Sequence, residues 1–170
     1  LPICSIVSKQ YDRVEDNLED YYDINALGYI TAYYGSDKNI IIPDKIKGRT
    51  VKGIASRTFE DNVKLQTVAL PETAKKISGK AFSGCLSLIS VTGAGVEQID
   101  SNAFEDSMIQ TVDCPNLKKI GKSAFLNCLR LTDVSSQKVE SIDDKAFKNT
   151  IFLTEMNCEN LTSIGSNAFE

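Results

Sequence analysis

The sequence predicts an α/β solenoid: a curved right-handed superhelix with short parallel strands and tight turns in each coil, closed at its N-terminus by a helix and a hairpin. Three observations carry this reading. Phenylalanine recurs at Phe59, Phe82, Phe104, Phe125, Phe147 and Phe169, with gaps of 23, 22, 21, 22 and 22 residues. Five residues before each stands an isoleucine: Ile54, Ile77, Ile99, Ile120, Ile142 and Ile164. Alanine precedes each phenylalanine except the first, where Thr58 takes its place. Self-similarity at a fixed period in the twenties marks coils that bury their apolar face only by stacking on one another.

Composition agrees with a packed chain. Of 170 residues, 42% are hydrophobic, and no run of 18 apolar residues occurs that could span a membrane. The first residue is Leu1 and no signal-peptide core follows it, so any export signal is expected to lie outside this sequence. Six acids within residues 1–23 (Asp12, Glu15, Asp16, Glu19, Asp20, Asp23) against Lys9 and Arg13 account for the whole net charge of -4. The repeat array is therefore neutral and lacks the basic stripe that nucleic-acid binding needs.

Taken in order, residues 1–35 read as the cap and 36–170 as the solenoid. Cys4, Val7, Tyr11, Val14, Leu18 and Tyr21 follow steps of three and four residues, which puts one apolar stripe on a short helix over residues 1–20. A disordered acidic tail is the competing reading. Tyr22 and Ile24, then residues 29–34, flank Asn25-Ala26-Leu27-Gly28, the pattern of a hairpin with glycine in its turn. Ile40-Ile41-Ile42-Pro43 matches Val68-Ala69-Leu70-Pro71, so a degenerate first coil starts near residue 36. Its loop over residues 43–51, with Lys45, Lys47, Arg49 and, just beyond, Lys52, reads either as a solvated loop or as an anion site.

Each full coil has three apolar stations. In the coil of Phe82 they are Leu86, Leu88 and Val91; then Val96 and Ile99; then Ala103 and Phe104. The corresponding positions further on are Leu129, Leu131, Val134, Val139, Ile142, Ala146 and Phe147. Short apolar runs separated by Gly, Pro, Asp and Asn suit two short strands and a turn. The coil of Phe104 is one residue short, so a local irregularity is expected there, not a break. The chain stops at Phe169-Glu170 in mid-coil. The expectation is a solenoid truncated at its C-terminal end, where an open stack continues into further chain or self-associates.

Catalytic chemistry has little to build on. The absence of histidine excludes Ser-His-Asp and Cys-His systems, and no zinc-type cysteine spacing exists. No catalytic residue, cofactor or metal is expected. The five cysteines do not form a disulfide framework. Cys85 and Cys128 share a register two coils apart, as do Cys114 and Cys158, and two coils at about 4.8 Å each exceed the reach of about 7 Å between bridged Cα atoms. They read as small buried residues. Asp100, Asp106, Asp143 and Asp144 read as turn and cap residues, and Asn160-Leu161-Thr162 is a glycosylation sequon.

The repeat Ile77-Ser78-Gly79-Lys80-Ala81-Phe82-Ser83-Gly84-Cys85, with its copy Ile120-Gly121-Lys122-Ser123-Ala124-Phe125-Leu126-Asn127-Cys128, resembles the BspA-like leucine-rich repeats. The start Tyr29-Ile30-Thr31-Ala32-Tyr33-Tyr34-Gly35-Ser36, followed by Ile42-Pro43, is similar to the usual opening of that family. The resemblance covers residues 21–170. Asn62, Ser107 and Thr150 depart from it by replacing cysteine, and the proline after the strand survives only as Pro43, Pro71 and Pro115. It implies a leucine-rich-repeat solenoid with a parallel ladder on its concave side and no shared catalytic site. It also implies a setting at bacterial cell surfaces, outside the cell, with adhesion or binding of a host matrix or cell-surface protein as the typical role.

Two exposed ladders follow from the register. Lys75, Glu97, Lys118 and Glu140, each two residues before a core isoleucine, alternate in sign and read as structural. On the strand expected to be concave, the inward Val68, Val91, Val112, Val134 and Met156 are flanked by Thr67 and Ala69, Ser90 and Thr92, Thr111 and Asp113, Asp133 and Ser135, and Glu155 and Asn157. This face turns from small and polar to acidic. It reads as a weak or multivalent protein-binding surface for a basic partner, or as a solvated sheet. The corresponding functions are a protein-interaction module without enzyme activity, or a spacer that displays another part of a longer surface protein.

Overall fold

The computed structural model describes residues 18–157 and 159–170. The helix expected over residues 1–20 lies outside the described residues apart from its end, where Leu18–Tyr21 forms a single 3-10 turn. Cys4 and Cys158 lie outside them too.

The expected hairpin is present. Strands β1 (Tyr22–Ile24) and β2 (Tyr29–Tyr33) pair antiparallel. The Asn25 side-chain oxygen accepts the Leu27 and Tyr29 N–H groups, both at 3.0 Å, and so holds the turn. Gly28 has φ +87°, and a Cβ there would lie 2.5 Å from the Thr50 carbonyl oxygen. Only glycine fits both conditions. The rings of Tyr22, Tyr33 and Phe59 follow one another at 5.0 and 5.8 Å, so the cap starts the aromatic column that the repeats continue.

The array opens with β3 (Asn39–Ile41). The long loop after it is a second hairpin, β4 (Lys45–Ile46) and β5 (Arg49–Thr50), rather than a solvated excursion. Ile46 and Val51 are fully buried, which ties the segment down. Lys47 and Gly48 have φ of 50° and 72°, the paired positive values of a tight two-residue turn. Lys47 meets Asp23 at 3.5 Å and Arg49 donates to the Ile24 carbonyl at 3.0 Å, so these two bases brace the cap.

After β6 (Gly53–Ile54) the coils repeat a three-residue strand and a two-residue strand. These are β7 (Thr67–Ala69) with β8 (Lys76–Ile77), β9 (Ser90–Thr92) with β10 (Gln98–Ile99), β11 (Thr111–Asp113) with β12 (Lys119–Ile120), and β13 (Asp133–Ser135) with β14 (Ser141–Ile142). The two-residue β15 (Ser163–Ile164) follows. Two sheets result, β1-β2-β6-β8-β10-β12-β14-β15 and β3-β7-β9-β11-β13. Past the hairpins every pairing is parallel and in register, Ile77 opposite Ile99 opposite Ile120, and Val68 opposite Val91 opposite Val112.

The Ala-Phe turn forms a third ladder. Phe82 N–H donates to Ala103 O at 2.7 Å, Phe104 N–H to Ala124 O at 2.8 Å, and Phe125 N–H to Ala146 O at 2.8 Å. Successive rings from Phe59 to Phe169 stack 5.0–5.2 Å apart and within 8° of parallel. The alanines are fully buried at Ala81, Ala103, Ala124 and Ala146, where a larger side chain has no space. Thr58, the exception, sits against the cap and donates to the Ile30 and Ala55 carbonyls at 2.8 and 2.9 Å. Residues two before and two after the phenylalanine take positive φ, as at Asn102 (61°) and Asp106 (58°). Asn and Asp tolerate that conformation best among residues with a side chain.

Two expectations need correction. Leu86 and Leu129 do not join the core: they are 54% and 43% exposed, whereas Leu88 and Leu131 are fully buried. Each follows a residue that points inward, Cys85 or Cys128, and so faces out. Met156 is only half-buried and the residues around it form no strand, so the ladder of three-residue strands stops at β13. The short coil of Phe104 behaves as expected, with a local irregularity and no break: the turn that the neighbouring coils form at residues 86–87 and 129–130 is missing before β11, which keeps register with β9 and β13 on both sides.

Candidate protein-interaction face

The outer face of β3-β7-β9-β11-β13 carries the residues singled out from the sequence. Register sets Thr67, Ser90, Thr111 and Asp133 in one row and Ala69, Thr92, Asp113 and Ser135 in the other. Thr67, Ser90 and Thr111 are half-buried, whereas Thr92, Asp113, Asp133 and Ser135 are exposed. Thr67 donates to the Asn39 side-chain oxygen at 2.8 Å, and Ser135 donates to the Asp133 carboxylate. The face thus becomes more accessible and more acidic toward β13.

Glu155 and Asn157 stand beyond that edge. In each earlier coil the strand end is tied to the next: Leu70 N–H to Thr92 O at 2.8 Å, Gly93 N–H to Asp113 O at 2.9 Å, Cys114 N–H to Ser135 O at 3.2 Å. Among the described residues no backbone hydrogen bond continues the series from β13 and Ser136 to residues 155–157. Backbone pairing resumes at Thr162, whose N–H donates to Glu140 O at 2.8 Å. Between these points lies a crevice of about 810 Å³, bounded by Asp133, Ser135 and Lys138 on one side and Glu155, Met156 and Asn157 on the other. Four of the nine expected site residues therefore meet in one place, and Thr67, Ser90 and Thr92 lie at the far end of the ladder. Ser136 and Lys138 were missed. Their signal is faint: Ser136 occupies the register of Cys114, and its hydroxyl donates to Leu117 O at 2.8 Å. Lys138 donates to the Asn116 side-chain oxygen at 2.6 Å.

Cys85 donates to Phe59 O at 3.0 Å and Cys128 to Phe104 O at 2.9 Å, so these thiols bond as well as pack. Burial pushes Cys85, Cys114 and Cys128 each up to about 12, far from a thiolate at neutral pH. Among the described residues no group of three or more His, Cys, Asp or Glu is placed to hold a metal ion. Three of the carboxylates at the turns have structural partners: Asp100 with Lys76 at 2.8 Å, Asp106 with the Asn127 amide at 2.8 Å, and Asp144 with the Ser166 N–H at 2.8 Å. The Asn160 amide donates to Gln137 O at 2.6 Å, as Asn116 does to Ala94 O at 2.7 Å. Three members of the expected charged ladder pair, with Glu97 between Lys75 (3.7 Å) and Lys118 (3.0 Å). The hydrogen bond from Lys118 holds the Glu97 carboxyl below its ordinary range.

A stack of about six coils of this length, with an in-register parallel ladder on one side and an Ala-Phe turn on another, defines a leucine-rich-repeat solenoid. The family model for the BspA type leucine rich repeat region matches residues 52–170 in six copies, and the chain belongs to that family. Its fold is similar to that of the T. pallidum leucine rich repeat protein, with 25% identity and a TM-score of 0.60 over 85% of this chain and 82% of that one. It is also similar to a leucine rich cell surface protein of Faecalibacterium prausnitzii A2-165 (25% identity, TM-score 0.57, 88% of this chain and 49% of that one). The pneumococcal vaccine antigen PcpA gives 25% identity and a TM-score of 0.65 over 87% of this chain and 40% of its own. The chain thus spans less than half of the last two proteins. A comparison with curated proteins returned no match.

Proposed function

We propose that this chain is the protein-interaction module of an extracellular, cell-surface protein of adhesion type, without enzyme activity. It binds a protein partner through the outer face of β3-β7-β9-β11-β13, taken as the concave side, with its strongest contact at the crevice beyond β13. The observation that carries this reading is the lapse of pairing there. It leaves the edge of β13 open in a ladder otherwise closed strand to strand, and an open edge is a template for an extended partner segment. Asp113, Asp133 and Glu155 favour a basic segment, and the rim of small hydroxyl side chains favours many weak contacts over one deep anchor. The setting at a surface is supported by the cell-surface protein among its structural neighbours.

The test is binding of the full chain to immobilised extracellular-matrix proteins, with the Asp113→Lys/Asp133→Lys variant beside it. Both aspartates are exposed, so the fold should survive. A loss of at least tenfold in affinity is expected. Equal binding by the folded variant, or no binding by either chain, would favour a spacer with no ligand of its own.

A further inference from the structure

Four residues after each phenylalanine stand Val63, Leu86, Met108, Leu129 and Ile151. Val63 and Ile151 are 56% and 70% exposed, Leu86 and Leu129 are exposed as described, and Met108 is half-buried. The residue before each (Asn62, Cys85, Ser107, Cys128, Thr150) turns toward the stack, so the apolar one faces outward in five consecutive coils. Ile89 and Phe152 are exposed beside it. Packing of the solenoid does not require this stripe. Four of its members keep 43–70% of their surface exposed, and exposed apolar side chains that line up contiguously mark an interaction site.

Charge lies on both sides of the stripe. On the Ala-Phe side run Glu60, Asp61, Glu105 and Asp106, with no base among those positions in the first three coils. On the other side, one residue further along their coils, stand Lys64 and Arg130, both exposed. The axial repeat narrows the occupant. Ring spacing sets the coils 5.0–5.2 Å apart, close to the α-helical pitch of about 5.4 Å. A helix laid along the stack therefore offers one apolar residue per turn to each rung, and drifts only about 1 Å over the five. The stripe is about 20 Å long and one side chain wide, less than the roughly 800 Å² per partner of a stable globular interface. A second copy of this chain would find too little to hold.

We propose that the Val63–Leu86–Met108–Leu129–Ile151 stripe is a docking site for an amphipathic α-helix of a partner protein, with basic residues toward Asp61 and Asp106 and acidic ones toward Lys64 and Arg130. The helix lies parallel to the solenoid axis, on a flank separate from the open edge of β13. The proposal does not depend on that edge.

The probe is a synthetic 15-residue helix with leucine at positions 1, 4, 8, 11 and 15, about 21 Å at 1.5 Å per residue, lysine on one flank and glutamate on the other. Its control has the same composition with the leucines dispersed. Fluorescence anisotropy against the full chain should show the striped peptide binding at least tenfold more tightly than the control. Leu86→Ser/Leu129→Ser should weaken it at least tenfold while leaving the melting temperature within a few degrees. Equal binding of both peptides, binding that the double variant keeps, or no binding at all would overturn the proposal. So would a wild-type dimer that the double variant converts to monomer in sedimentation, which would assign the stripe to a second copy. A photo-crosslinking residue at position 129 that captures residues 1–17 of the same chain would assign the stripe to the chain itself, and the proposal would fall in that case too.

Discussion

At the scale of single residues, the position three after each phenylalanine shows why constancy in this sequence reports packing. Asn62, Cys85, Ser107, Cys128 and Thr150 share no chemistry except a small polar tip, and three of them spend it on a phenylalanine carbonyl: Cys85 and Cys128 on that of the coil before, Thr150 on that of its own coil at 2.7 Å. Each of these carbonyls already accepts the backbone N–H three residues on, as Phe104 O does from Ser107 at 3.0 Å, and a thiol or hydroxyl of this size fills the second lone pair without opening the stack. The sequence shows the cysteines as small and buried; it does not show them as donors, because the bond crosses from one coil to the next. The consequence is testable. Cys85, Cys114 and Cys128 are fully buried and titrate near 12, so the native chain at pH 8 should leave all three unmodified by a thiol-disulfide reagent, and denaturant should release them together. Rapid native labelling of any one of them would contradict this burial. Cys128→Ala removes one of two donors from Phe104 O, since the Ser107 N–H remains at 3.0 Å; it should cost about 0.5–1.5 kcal/mol in denaturant unfolding, and Cys128→Ser should recover part of it.

At the scale of elements, the longest and most regular features were the most legible. The β1–β2 hairpin is marked by Asn25 and Gly28, whose roles are local: an amide that caps its own turn and a glycine at positive φ. The second hairpin was not legible as one, since Lys47-Gly48 is a weak turn signal and what fixes β4 and β5 is the burial of Ile46 and Val51 beneath distant residues. Leu86 and Leu129 were misplaced for a similar reason. A repeat period says that a position is equivalent in every coil and says nothing about which way it faces. The Lys75–Glu97–Lys118 ladder, by contrast, could be laid out from the period alone, because alternating signs at one register have only each other as neighbours. Glu97 titrates below its ordinary value when folded, so its contribution is fully present above the unfolded carboxylate range and fades as pH falls through the folded value. The difference in melting temperature between the parent chain and Glu97→Gln should therefore be largest near pH 7 at low salt. It should shrink in 0.5 M salt, given screening of exposed pairs, and vanish once the pH has fallen below the folded value. A difference that grows in acid would refute the ladder's role.

At the scale of the whole molecule, the aromatic column joins cap and coils into one object, from Tyr22 through Tyr33 to Phe169. Each ring touches only the ring on either side, so stability should behave as a sum over neighbouring coils rather than as a property of one central core. The same order explains why a binding site arises where the order lapses. Strands β7, β9 and β11 have both edges paired, and β13 alone among the later strands of that sheet faces an unpaired segment. Position along the stack should then decide what a deletion costs. Phe104 has rings at 5.2 and 5.1 Å on its two sides and is fully buried, whereas Phe169 has one neighbour at 5.1 Å and is 48% exposed. Phe104→Ala removes two stacking contacts and leaves a cavity between coils that the rigid backbone ladder cannot close. It should cost about 3–5 kcal/mol, and native-state hydrogen exchange should show the coils on both sides of it losing protection. Phe169→Ala should cost less than half as much, with the loss confined to β14 and β15. Equal costs, or a loss spread evenly over all coils, would mean that the chain unfolds as one indivisible unit, and the nearest-neighbour account of the stack would have to be abandoned.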